Sequence, residues 1–170
     1  MKKEKNSYKM LRKLHQTFKF FLIIFLLILF QFNFSFADVL KPNKSIQPKE
    51  VIEIQLSALM KNDSPYQDRG ILQTWEFAHP NNQKYTGPIE RFTKMLKGNA
   101  FSMLLNHKEN KISEVFKSDD VATYEVLILS IDKRYFKFKW QVEKITSEGN
   151  LKDCWLTTAV SQPVDMGSAI

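Results

Sequence analysis

The chain has 170 residues, with 25 lysines and arginines against 18 acids, 14 phenylalanines and a single cysteine. One thiol excludes an internally disulfide-stapled scaffold, so stability has to come from a packed core. The net charge of +7 invites a nucleic-acid reading, but the distribution of that charge along the chain excludes it.

Seven bases, Lys2, Lys3, Lys5, Lys9, Arg12, Lys13 and Lys19, stand before the apolar run FFLIIFLLILF at 20–30, opposed only by Glu4. The run is followed by QFNFSFA, ending at Ala37 with Ser35 two positions earlier. A basic stretch, an apolar stretch and a small-x-small site form the secretory signal pattern, which predicts a signal peptide over 1–37 and a new N-terminus at Asp38. The alternative is an uncleaved anchor, since Phe20 to Phe36 lies at the lower edge of what spans a bilayer. Gln31 and Asn33 count against it, because unpaired amides are costly in hydrocarbon. Either way the basic flank stays inside and the domain faces the periplasm. Without the leader, 18 bases face 17 acids, a net of +1, and eight of the 14 phenylalanines are gone. A nearly neutral domain of 133 residues remains, with no excess charge to cover nucleic acid.

Residues 38–47, DVLKPNKSIQ, read as a linker. Pro48 suits the first position of a helix, where its missing N–H is harmless. Ile52, Leu56, Leu59 and Met60 then recur at helical spacing until Asn62-Asp63-Ser64-Pro65 stops them. A second helix is predicted over 69–78, with Ile71, Leu72, Trp75 and Ala78 on one stripe. The segment 79–87, HPNNQKYTG, reads as a loop by composition. A third helix starts at Pro88, carries Ile89, Phe92, Met95 and Leu96 inward and ends against Gly98.

Beyond Gly98 the period shortens. Residues 111–117 alternate around Ile112 and Phe116, and 121–130 are apolar on both faces, as in a strand covered on both sides. In 135–143, Phe136, Phe138, Trp140 and Val142 face one way and Tyr135, Lys137, Lys139, Gln141 and Glu143 the other. Glu148-Gly149-Asn150 is a turn, Trp155–Ser161 a last strand, and 162–170 a loose tail. Helices first and antiparallel strands after predict an α+β domain over 48–161, with helices on one face of the sheet.

The runs VIEIQLSALMKND (51–63), WEFAHPNN (75–82), TGPIERFTKML (86–96), LLNHK (104–108) and CWLTTAV (154–160) resemble the exported bacterial family called domain of unknown function 4864. The order of elements also looks like the nuclear-transport-factor-2-like (SnoaL-like, cystatin-type) fold. That resemblance implies three N-terminal helices closing over a curved, mainly antiparallel sheet of four to five strands, shaped as a cone. One departure from the family pattern is His79, where a small residue is expected before Pro80. The resemblance implies a fold and an exported location, and no activity.

Two histidines fall outside the leader, too few and too far apart with one Cys for a metal site, and no cofactor motif is present. His79 before Pro80 and Asp63 after the first helix are the candidate acid–base pair, of isomerase or hydrolase type. His107, in NHKEN, reads as a turn residue. Trp140, Trp155, Phe138 and Asn62 are the candidate pocket lining for a small apolar or amphipathic ligand. The expectation is a non-enzymatic binding or accessory module with a helix-capped pocket. The alternatives are a pocket enzyme using His79 and Asp63, and an interaction or homodimer module working through the outer sheet face. There, Lys137 and Lys139 would need Glu125 or Glu143 as partners.

Overall fold

A computed structural model describes residues 38–168, together with His15, Phe18 and Lys19. The chain divides into two compact units, Met1–Ala37 and Asp38–Ile170. The predicted signal peptide therefore lies outside the described residues except at three positions. Among the described residues no helix is long and apolar enough to cross a membrane.

The second unit is α+β. Helix α1 spans Pro48–Met60, with Pro48 in its first turn and Glu50 Oε2 accepting from the Gln47 N–H at 2.7 Å. This is the carboxylate half of a capping box, which satisfies a backbone donor at the helix start. Val51, Ile52, Leu56 and Leu59 are wholly enclosed, and Gln55 is buried among them. Helix α2 spans Arg69–Glu76 and crosses α1 at Gly70, where an added Cβ would lie 2.2 Å from the Ala58 carbonyl oxygen. Only glycine permits that approach.

Helix α2 ends two residues before its predicted limit because the chain leaves it to pair with the sheet. Thr157 N donates to Phe77 O at 2.8 Å and His79 N to Thr157 O at 2.8 Å, a parallel bridge centred on Ala78. The segment read as a loop is instead helix α3, Pro80–Thr86. It buries no side chain, so it carries no apolar periodicity to read; Pro80 and an Nδ1 acceptor from the His79 N-cap start it. Helix α4 spans Ile89–Lys97, with Pro88 as its N-cap and Gly98 as its C-cap. Its buried pair is Phe92 and Leu96, and the domain therefore has four helices where three were expected. A single 3-10 turn follows at Ser102–Leu104.

Five strands complete the unit: β1 Glu109–Lys117, β2 Val121–Leu129, β3 Arg134–Lys144, β4 Trp155–Val160 and β5 Val164–Ser168. All strand pairs are antiparallel, in the order β1-β2-β3-β4, and β5 also pairs with β3. Strand β4 holds β3 at 140–144 and β5 holds it at 134–137, so the two share one edge of the longest strand. The tail expected to be loose thus carries β5, fastened further by an Arg134–Asp165 ion pair. The segment 38–47 has no regular structure, yet Gln73 grips it: its Oε1 accepts from Leu40 N at 2.8 Å and its Nε2 donates to Leu40 O at 2.8 Å.

Strand β3 alternates as expected, with Phe138, Trp140 and Val142 buried and Lys139 exposed. Strand β2 departs from expectation. Ala122, Tyr124, Val126 and Ile128 are buried, but the opposite face is covered unevenly, with Thr123 buried, Val121, Leu127 and Leu129 half-buried and Glu125 exposed. On that outer face Lys137 pairs with Glu125 at 3.2 Å.

Candidate ligand cavity

Between the helices and β4 lies a cavity of about 300 Å3. Helix α4 and the turn after it supply Phe92, Met95, Leu96, Phe101 and Leu104; α1 adds Leu59. From the sheet come Trp140, Thr157, Thr158, Ala159 and Val160. Asn82 and Thr86 of α3, half-buried, join Thr158 and the exposed Ala159 at the rim. On the sheet side the β3–β4 ladder carries this wall, and the bridge at Ala78 ties the end of α2 to it.

The polar part of the lining is a relay of buried groups. Trp140 Nε1 donates to Thr157 Oγ1 at 3.1 Å, Thr157 Oγ1 donates to Gln55 Oε1 at 2.6 Å, and Gln55 Nε2 donates to the Thr74 carbonyl at 3.0 Å. All four residues are at most 5% exposed, so each bond sits in a low-dielectric setting where its loss would be expensive. No lining side chain is ionisable. The cavity offers apolar contact and neutral hydrogen bonding, with no charge to receive a charge.

The sequence-derived candidates scatter. Trp140 lines the cavity. Phe138, two residues earlier on β3, is buried but is not among the lining side chains. Trp155 is buried with Lys144 Nζ 5.1 Å from its ring centre, a cation–π contact away from the cavity. Asn62, also outside the lining, works as a cap. Its side-chain oxygen accepts from Ile71 N at 3.1 Å and its carbonyl from Gly70 N at 2.9 Å, satisfying two donors at the start of α2. Asp63 Oδ1 accepts from Asn62 Nδ2 at 2.9 Å and from Asp68 N at 3.0 Å. His79 Nδ1 accepts from Asn81 N at 3.1 Å, beside a shallow depression shared with Glu148 and Lys152. His79 and Asp63 have separate partners, and neither lines the cavity.

His107 stands in the loop after the turn at 105–106, as its surroundings suggested, but its ring is enclosed. It is 1% exposed, its Nδ1 lies 2.7 Å from Leu104 O and its Nε2 3.0 Å from Asn110 Nδ2. A neutral ring with the proton on Nδ1 satisfies both contacts. Burial lowers its pKa, and the Leu104 carbonyl works the other way. Cys154 is buried, which raises its thiol pKa and makes it inert rather than nucleophilic. Tyr124 is pushed up to about 12, first by burial and then by the Glu114 carboxylate beside its hydroxyl. Among the described residues no cluster of three or more His, Cys, Asp or Glu side chains could hold a metal.

Gln55 and Thr157, the centre of the relay, were not singled out from sequence. The available signal was position: Gln55 falls between Ile52 and Leu59 on the apolar stripe of α1, where a polar side chain needs a buried partner.

The family model for the domain of unknown function (DUF4864) matches residues 41–161. The chain belongs to this family. The match takes in all four helices and β1–β4, and so the whole cavity wall, and leaves β5 outside. No curated protein and no solved structure matches the chain. Within this DUF4864 domain, LLNHK is now explained physically: Leu104 lines the cavity, Asn106 N donates to Leu59 O at 2.8 Å, and His107 is enclosed.

Proposed function

We propose that the chain is an exported, non-enzymatic binding module whose helix-capped cavity takes a small apolar or amphipathic ligand. The observation that carries this reading is a cavity of about 300 Å3 with an apolar wall, a neutral polar relay and no ionisable lining side chain. That volume is at the small end of ligand pockets. Acid–base chemistry by His79 and Asp63 would need both at the ligand, and neither borders the cavity. A cone-shaped, nuclear-transport-factor-2-like arrangement is part of the same reading. It is supported by register shifts in the β1–β2, β3–β4 and β3–β5 pairs, since bulges bend and twist a sheet. Export rests on the leader pattern at 1–37.

Native mass spectrometry of the full chain tests the binding reading. The expected result is a stoichiometric small-molecule adduct in the natural protein that is absent from Ala159→Trp, whose side chain would fill the exposed rim. An adduct-free protein that takes up no apolar probe overturns it. N-terminal sequencing of the periplasmic protein tests export: a start at Asp38 is expected, and a start at Met1 would mean an anchor.

A further inference from the structure

The relay leaves one valence unspent. A glutamine amide has two N–H donors, and among the described residues Gln55 Nε2 donates only to Thr74 O. Its oxygen is occupied by Thr157 Oγ1, whose own acceptor capacity is used by Trp140 Nε1. Gln55 is 1% exposed and borders the cavity, so its second N–H has no bulk water to turn to. The lining hydroxyls are engaged with the protein: Thr74 Oγ1 donates to Gly70 O at 2.9 Å, Thr86 Oγ1 to Asn82 O at 2.8 Å and Thr158 Oγ1 to Gln141 O at 3.4 Å; the Asn82 amide stands half-buried at the rim, where solvent reaches it. A buried donor without an acceptor is costly, and a bound molecule that supplies one recovers that cost.

Size and charge narrow the molecule further. A cavity of about 150 Å3 lined by Leu, Ile and Phe accommodates benzene; this one is about 300 Å3, room for a body roughly twice that size. A charged group would have to be desolvated against a wall without a counter-charge. We infer that the ligand is an uncharged, compact molecule of about bicyclic size, carrying a carbonyl- or ether-type oxygen that accepts from Gln55 Nε2. This deepens the binding reading and rests on it.

The test is calorimetric titration of the full chain, held in lipid nanodiscs, with three matched probes: the ketone 1-tetralone, the hydrocarbon tetralin, and tetralin-1-carboxylate. Empty nanodiscs provide the background. The ketone is expected to bind roughly fivefold more tightly than the hydrocarbon, the worth of one neutral hydrogen bond, and the carboxylate not measurably. Gln55→Met should abolish the ketone's advantage while keeping hydrocarbon binding. If that variant does not fold, the ketone-to-hydrocarbon ratio in the natural protein decides alone. Equal binding of ketone and hydrocarbon, or carboxylate binding as tight as the ketone's, overturns the ligand class and leaves the binding reading standing. Failure of all three to bind, or equal binding to Ala159→Trp, overturns the binding reading itself.

Discussion

Replacing Thr157 by valine keeps the shape of the side chain and removes one oxygen. In the structure that oxygen serves two neighbours: it accepts from Trp140 Nε1 at 3.1 Å and donates to Gln55 Oε1 at 2.6 Å. Both neighbours are 1% exposed, so neither is compensated by solvent after the exchange. An orphaned buried polar group costs about 1–3 kcal/mol. Two such groups, partly relieved by the better burial of a methyl, put the loss at about 3 kcal/mol. For a domain of this size that lowers Tm by about 10 °C. Urea unfolding of the full chain followed by tryptophan fluorescence measures it. The control is Thr158→Val, the adjacent residue, whose hydroxyl makes only a long 3.4 Å contact with Gln141 O; it should cost under about 1 kcal/mol. If Thr157→Val costs no more than Thr158→Val, the relay does not stabilise the cavity wall and the reasoning fails.

Three further outcomes follow from the packing. Gly70→Ala would set a methyl 2.2 Å from Ala58 O, forcing α1 and α2 apart at a cost of about 2–3 kcal/mol, read from the urea midpoint. Asn62→Ala should lose about 1–2 kcal/mol, because its side-chain oxygen caps Ile71 N at the start of α2, while leaving probe affinity unchanged; a selective loss of affinity would return Asn62 to the pocket. His107 has a folded-state pKa below its ordinary 6.5 because burial disfavours the cation. The unfolded chain therefore takes up the proton first. Its contribution is fully present above pH 6.5 and is lost as pH falls through the folded-state value. The urea midpoint should drop between pH 7 and 5, and His107→Gln should flatten that slope; a slope unchanged by the substitution refutes the assignment.

What could be read from the sequence was whatever the chain encodes over a few residues. Helix α1 announced itself through Pro48 and the Ile52–Leu56–Leu59 stripe, α4 through Phe92, Leu96 and the Gly98 stop, and β3 through its strict alternation. Trp140 was found because it stands in that alternation. Helix α3 escaped because it buries nothing, and β5 because its five residues are mostly exposed, so neither leaves a hydrophobic period. For His107 the composition of NHKEN gave the turn, while the enclosure of the ring comes from tertiary packing and left no local signal.

By itself the sequence determined the class of the domain, its near-neutral charge and the family to which it belongs, because local periodicity and turn chemistry are properties of neighbouring residues. The tertiary structure alone decided where the cavity lies and which groups face it. Gln55 and Thr157 are separated by 102 positions, and their hydrogen bond exists only because α1 and β4 are folded onto each other. No pattern along the chain records such a contact. The separation of His79 from Asp63, and the recasting of Asn62 as a cap, were decided in the same way, by partners supplied from distant or differently folded segments.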